Sequence, residues 1–311
     1  MHEGVAAEGV NLDDLRRLLP ASLVKRNEPL ARKTTLRVGG SADLYVEPAS
    51  ELDLAAALAF CACQPIPFFL LGRGSNLLIR DGGVRGMVIS LAAPVFSMIA
   101  ARGDILRCGA GARLKSVAAR ARELALAGLE FLEGIPGSVG GALRMNAGAM
   151  GAATFDVVAR VRFMDFEGAV EERDANDIPF GYRSSPFFKT HIALGADFRG
   201  RPASRESVAE AARAMNQKRW DSQPKEPSAG CIFKNPSIPA GRLIDELGLK
   251  GTRVGGASVS MVHGNFIINE GAATAKDVLE LIGLIKAKAK AARGIELQTE
   301  VEIIGEDECA K

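Results

Sequence analysis

Helical and strand periods of apolar residues succeed one another along most of the chain. Leu12, Leu15, Leu18 and Leu19 share one helical face, with Asn11 as cap and Pro20 as stop. Ser50 and Asp53 have capping-box spacing for an Ala- and Leu-rich helix reaching about Cys63. Ala42–Val46, Phe68–Leu71, Leu77–Ile79 and Met87–Leu91 predict strands, the second of them buried, whereas 27–40 reads as irregular and ends in Gly39-Gly40. This alternation predicts a small α/β unit over the first 90 residues. Beyond it, short strands are expected at 95–99, 105–108, 157–165 and 192–197, with a helix near 116–126. A helix over 207–219, a Pro-containing connector at 222–227 and a helix over 242–247 closed by Gly248 come next. Thr274 and Asp277 cap the strongest helix, which places Val278, Leu281, Ile282 and Ile285 on one face and stops at Gly294. The final run, 295–304, alternates: Ile295, Leu297, Val301 and Ile303 inward, Glu296, Gln298, Glu300 and Glu302 outward. By pattern alone Glu300 is a solvated strand residue.

Two glycine loops interrupt these periods. The stretch 133–149 has glycine at 134, 137, 140, 141 and 148, and Pro136 as a stiff corner. Residues without a Cβ let a ligand approach the main chain, and successive N–H groups can form an anion-binding nest. A flexible linker is the bland alternative, but linkers are not filled with residues such as Ile135, Val139, Leu143 and Met145. The second loop, Gly72-Arg73-Gly74-Ser75-Asn76, follows a strand yet runs into Leu77-Leu78-Ile79. A dinucleotide fingerprint needs a third glycine and a helix there, so a Rossmann fold is rejected.

Composition narrows the chemistry. The chain has 311 residues, so two or more domains of ordinary size are expected. Lys and Arg number 39 against 37 Asp and Glu, a balance that offers no case for nucleic acid or a membrane surface as principal partner. No run of about 18 apolar residues exists, and the first eight residues lack the features of a signal peptide, so a cytoplasmic protein is expected. The cysteines at 61, 63, 108, 231 and 309 are then expected to be reduced, and no metal site is expected from C-x-C at 61–63 without His. Three His (2, 191, 263) are too few for most His-based schemes. Arg183 follows Tyr182 in a loop with Phe180, Phe187 and Phe188 nearby; a solvated arginine is the usual reading, but these neighbours suit a buried guanidinium that grips carboxylate or phosphate. Cys231, a residue type most often inert in cores, lies between Gly230 and the polar Lys234-Asn235, which points to an accessible loop edge.

Five stretches together resemble the UDP-N-acetylenolpyruvoylglucosamine reductase family, also called UDP-N-acetylmuramate dehydrogenases. They are 71–78 (LGRGSNLL), 134–148 (GIPGSVGGA through MNAG), 181–185 (GYRSS), 228–236 (SAGCIFKNP) and 297–305 (LQTEVEIIG). The resemblance implies an α+β fold: a two-subdomain FAD-binding fold of the vanillyl-alcohol-oxidase type, followed by a C-terminal α+β substrate domain. Boundaries are expected at 1–92 (with 300–311 returning to it), 93–203 and 204–299. It implies bound FAD, held by Gly72, Arg73, Gly74, Ser75 and Asn76 and by Gly134, Ile135, Pro136, Gly137, Ser138, Gly140, Gly141, Asn146 and Gly148. NADPH is the implied co-substrate. The implied reaction adds hydride to the vinyl carbon of UDP-N-acetylglucosamine enolpyruvate, a step of peptidoglycan precursor synthesis. Negative charge then develops beside the carboxylate and calls for fixed cations and a positioned acid. By resemblance Arg183 is the cation, Glu300 its partner as a neutral carboxylic acid, and position 231 the proton donor. The family more often has serine there; cysteine, with an ordinary pKa of about 8.5, is the stronger acid.

Asn235 is an expected substrate contact, with Lys234, Lys225 and Arg242 as candidates for the diphosphate. The region between Tyr182 and Gly230 has no long insertion, which places the chain in the shorter subclass. His263 is left between a structural residue and a ligand contact, and a monomer is expected. Two other readings remain in view. A flavin oxidase on the same scaffold often tethers its flavin through His or Cys, and neither glycine loop contains His. A non-catalytic nucleotide-sugar-binding protein would have no use for Arg183, Cys231 and Glu300 together.

Overall fold

The structure is a computed structural model that describes residues 10–308. The N-terminal stretch weighed as a signal peptide, with His2, and Cys309 lie outside the described residues. The fold is α+β, as expected, and the chain divides into two units. One comprises Met1–Arg26, Leu44–Arg73 and Met87–Arg219; the other comprises Asn27–Asp43, Gly74–Gly86 and Trp220–Lys311.

The first unit opens with α1 (Leu12–Leu18), whose cap is as predicted: Asn11 Oδ1 accepts the Asp13 N–H. Leu15 and Leu19 are buried, but Leu18 is 46% exposed, so the apolar face is narrower than predicted. In α2 (Glu51–Cys63), Ser50 Oγ accepts the Asp53 N–H. The face bearing Leu54, Leu58 and Cys61 packs with Leu44, Val46, Met87 and Ile89. Strand Phe68–Leu71 lies parallel to Met87–Ser90; only Leu71 is fully buried, which corrects the expectation of a buried strand. The strand predicted at 95–99 is absent: Pro94 starts a 3-10 turn over Pro94–Ser97, and the strand begins at Ile99.

A five-stranded antiparallel sheet follows, in the order Val170–Asp174, Val158–Asp165, His191–Arg199, Ile105–Gly109, Ile99–Arg102. Val170–Asp174 escapes sequence reading because all of it is exposed and no apolar alternation marks it. Helices α3 (Leu114–Glu123) and α4 (Val139–Met145) contribute Val117, Ala121, Val139 and Leu143 to the same core as Leu106, Val161, Phe163 and Phe198 of this sheet. The chain leaves through α5 (Arg205–Ser222).

The second unit has an antiparallel sheet ordered Ser228–Cys231, Phe266–Asn269, Ala257–Val259, Arg253–Val254. Its core is shared with α6 (Ala240–Glu246) and α7 (Ala275–Arg293). In α7 both halves of the Thr274–Asp277 capping box form, Gly294 closes the helix at φ 66°, and Asp81 adds two further caps to the N–H groups of Ala275 and Lys276. Asp277 is held below the usual carboxylate range, first by the Thr274 N–H. The run 295–304 is a strand only at Glu302–Ile304, which pairs in parallel with Leu77–Ile79. Strand Leu23–Pro29 and the 3-10 turn Ala31–Lys33 correct the irregular reading of 27–40 at its start.

Candidate active site

In the first unit the central glycine stretch is half loop, half helix. Its second half forms α4, a helix that glycine-rich composition conceals. Ala112 O accepts the Val139 N–H at 2.9 Å and Ala110 O accepts the Gly140 N–H at 2.8 Å. Those two donors are therefore spent inside the protein. Gly140 is closely packed, since a Cβ there would stand 3.1 Å from that of Ala110. At Gly134 the nearest atom to such a Cβ is 3.9 Å away, so space is left open there. Ser138 is 4% exposed, and its hydroxyl has no hydrogen-bond partner among the described residues. It lies between Gly72 and Gly141, whose added Cβ atoms would come within 3.0 and 3.6 Å of Ser138 Oγ. A hydroxyl with no protein partner, open to solvent on an otherwise buried residue and bordered by glycines, is what a phosphate-bearing cofactor could reach and bond. The residues present therefore fit FAD.

Arg183 stands on a turn of the same unit, at φ 55°, with Gly181 and Ser184 exchanging main-chain bonds across it. Two anchors fix the turn. Arg144 O accepts the Ser185 N–H at 2.9 Å, and Gly181 O accepts Asn146 Nδ2 at 3.1 Å. Asn146, left-handed at φ 39°, also accepts the Phe155 N–H through Oδ1. Its side chain is thus committed to holding α4 and the Arg183 turn together. Gly148 makes room for the guanidinium: a Cβ there would stand 3.0 Å from Arg183 Nη1. Arg183 is half-buried and lies 5.4 Å from the Tyr182 ring centre, a cation–π contact.

In the second unit Gly74, Ser75 and Asn76 come beside Cys231 and Glu300. Gly74 passes so close to Thr34 that an added Cβ would lie 2.7 Å from its Cα, and at φ 59° it suits glycine. A Cβ built on Gly230 would stand 3.9 Å from Ser75 O, and the Gly230 φ of 78° turns the chain just before Cys231. Asn76 Nδ2 donates to Glu300 O at 3.1 Å, while Asn76 O accepts the Glu302 N–H. Ile232 O accepts the Glu300 N–H at 2.8 Å, and Gln298 O accepts the Lys234 N–H at 2.9 Å. Cys231 and Glu300 therefore sit on directly bonded segments. Cys231 ends a strand and is half-buried, which corrects its reading as a loop edge; Glu300 is half-buried, which corrects its reading as solvated. Cys61 and Cys108 differ in kind, since burial pushes both thiols up to about 12. Among the described residues no cluster of three or more His, Cys, Asp or Glu could hold a metal ion.

The diphosphate candidates are scattered in their commitments. Arg242 bonds Glu246 at 2.7 Å, and Lys225 Nζ lies 5.9 Å from the Trp220 ring centre. Asn235 Oδ1 accepts the Ala240 N–H at the start of α6, and Lys234 is half-buried. His263 supports the loop itself: Nδ1 accepts the Asn265 N–H at 3.1 Å, and its ring packs edge-on to Phe266. Burial, then the Lys250 charge, lower its pKa below the ordinary value. Sequence reasoning missed Asn265, whose amide clamps both N–H and C=O of Phe233, two residues beyond Cys231. No local signal distinguishes this asparagine from a loop residue.

Comparison with known proteins completes the picture. Residues 223–304 match the UDP-N-acetylenolpyruvoylglucosamine reductase C-terminal domain, and residues 42–173 match an FAD-binding domain. UDP-N-acetylenolpyruvoylglucosamine reductase of Geobacter metallireducens is 44% identical, across 95% of this chain and 99% of its own. That of a Bradyrhizobium species is 42% identical, across 94% and 96%. The crystal structure of the enzyme from Thermus caldophilus superposes with a TM-score of 0.80 at 37% identity, covering 91% of this chain and 99% of that one. With such identity along nearly its whole length, the chain belongs to the UDP-N-acetylenolpyruvoylglucosamine reductase family.

Proposed function

We propose that Arg183, Cys231 and Glu300 carry the reduction of UDP-N-acetylglucosamine enolpyruvate to UDP-N-acetylmuramate, with NADPH as the source of electrons. The chain is an FAD-containing oxidoreductase of its family and acts in peptidoglycan precursor synthesis. When bound, FAD supplies the hydride-carrying chemistry. Gly72–Asn76 and the 134–148 stretch would hold it. Arg183 offers a fixed guanidinium to the substrate carboxylate, where charge builds as the vinyl carbon is reduced. Glu300, in neutral form, donates a hydrogen bond to the same group, and the Cys231 thiol delivers the proton to the adjacent carbon. Asn235, Lys234, Lys225 and Arg242 contact the nucleotide sugar. In this reading the subdomains are 1–92 with 300–311, 93–203 and 204–299, and the protein works as a cytoplasmic monomer. Among the described residues no helix is long and apolar enough to cross a membrane.

The observation that supports this best is the direct bonding of the Glu300 segment to the residue after Cys231. Its test is an absorbance spectrum, taken before and after anaerobic NADPH and then the enolpyruvyl nucleotide sugar. A yellow protein bleached by NADPH and restored by that sugar is expected. A colourless protein that takes up no FAD overturns the reading, and colour restored only by oxygen points to an oxidase.

A further inference from the structure

In the second unit the strand Ser228–Cys231 pairs antiparallel with Phe266–Asn269, and the register brings Cys231 opposite Phe266. Regular pairing stops there, because Gly264 is pressed against α6: a Cβ on it would stand 2.6 Å from Gly241 O. Two residues beyond Cys231, Phe233 bridges Thr299. The bonds flanking that bridge run from the Glu300 N–H to Ile232 O and from the Lys234 N–H to Gln298 O. In an antiparallel pair of this kind the central residue turns its own N–H and C=O to the opposite edge. Asn265 takes both: Oδ1 accepts the Phe233 N–H at 2.9 Å, and Nδ2 donates to Phe233 O at 2.8 Å. Its main-chain O accepts the Ile232 N–H at 2.9 Å, and its own N–H goes to His263 Nδ1. Asn265 is 2% exposed and Phe233 1%, so neither has ready solvent to fall back on. The asparagine amide presents a donor and an acceptor side by side at this length, which an aspartate does not.

We propose that Asn265 is a positioning residue for proton delivery. Its amide stands in for the strand that Gly264 fails to continue, fixes the peptides of Ile232 and Phe233, and so sets Cys231 relative to Glu300. This rests on the roles given above to those two residues. Cys231 adjoins the clamped stretch through the chain, and the Glu300 N–H is bonded to Ile232 O, so a single amide governs both. Asn269, on the same strand and 6% exposed, provides the contrast. Its amide is committed to Leu36 O and to the N–H groups of Gly271 and Ala273.

The experiment follows, by stopped-flow absorbance on holoenzyme, the bleaching of the flavin by NADPH and its restoration by the enolpyruvyl nucleotide sugar. Wild type is compared with N265A, N265D and N269A, and with C231A alone and combined with N265A; circular dichroism checks folding. N265A is expected to bleach at the wild-type rate but to be restored roughly a hundredfold more slowly, the scale of a displaced catalytic group. N265D keeps the volume and the acceptor but not the donor; it should lose roughly tenfold, and it carries the test if N265A does not fold. N269A should be restored within about threefold of wild type, as an independent site. In the C231A background N265A should cost no more than about threefold further, since residues that act as a unit are not additive. Unchanged restoration in N265A and N265D overturns the proposal. So does equal slowing of both half-reactions, or the same factor lost in N269A or on top of C231A. Wild-type restoration in C231A alone defeats the underlying role of Cys231, a result read without reference to position 265.

Discussion

Asn146 donates through Nδ2 to Gly181 O at 3.1 Å, so the C-terminal cap of α4 also holds the turn that presents Arg183. Replacing it with Ala removes that bond and the one from the Phe155 N–H, and leaves Ala in a left-handed conformation. Asn146→Ala should cost about 2–3 kcal/mol of unfolding free energy, from lost buried bonds and backbone strain. Turnover should fall at least roughly tenfold, as a misplaced charge stabilises the transition state less well. Urea unfolding and steady-state kinetics check both, and unchanged turnover would show that the turn keeps its shape unaided.

Gly148 and Gly134 separate two uses of glycine. A Cβ on Gly148 would meet Ala152 O at 2.6 Å and Arg183 Nη1 at 3.0 Å, whereas one on Gly134 meets nothing nearer than 3.9 Å. Gly148→Ala should lower turnover per bound flavin, because the added Cβ displaces the Arg183 guanidinium. Gly134→Ala should leave stability within about 0.5 kcal/mol, the usual range for a change that touches nothing, yet loosen flavin binding. Flavin-to-protein ratios and kcat for the two variants give the contrast.

Cys231→Ser should retain appreciable turnover, because the hydroxyl keeps a proton to give. Cys231→Ala should still let NADPH bleach the flavin absorbance at the wild-type rate while overall turnover drops roughly a hundredfold or more, the size of a general-acid effect. Stopped-flow absorbance separates the two half-reactions. Wild-type turnover in the Ala variant would remove Cys231 from the chemistry.

His263 predicts an acid-sensitive second unit. Its folded pKa lies below the ordinary 6.5, through burial first and Lys250 second. The unfolded chain therefore takes up the proton at a pH where the folded chain resists it. The stability this contributes is complete above about 6.5, the unperturbed value, and is lost as pH falls through the lowered folded value. Protonation would also abolish the bond that Nδ1 accepts from the Asn265 N–H. Urea unfolding at pH 7.5 and 5.5 should show a drop in wild type that is smaller in His263→Gln; an equal drop would place the sensitivity elsewhere.

Helices with both ends written in local chemistry were legible: Asn11, Ser50 and Thr274 cap where the sequence places them, and Gly294 stops α7. Elements held by distant partners were not. Helix α4 contains Gly140 and Gly141, poor helix formers, and persists because Val139, Ala142 and Leu143 are buried and its first N–H groups reach Ala112 and Ala110. The alternation at 295–304 looked like a strand, yet only Leu297 and Val301 are fully buried and the regular pairing starts at Glu302. The glycine loops and Arg183 were marked by motif. Asn265 was not, because what makes it notable is its pair of hydrogen bonds to the main chain of Phe233, near in space and distant in sequence.

The parallel pairing of Leu77–Ile79 with Glu302–Ile304, reinforced by Asn76, ties together two segments far apart in the chain. Until residues 300–304 dock, the strand edge at Leu77–Ile79 stays open. The loop beside Cys231 is thus set by contacts spanning more than two hundred residues of chain, which makes its formation a late, long-range event of folding and not a local one.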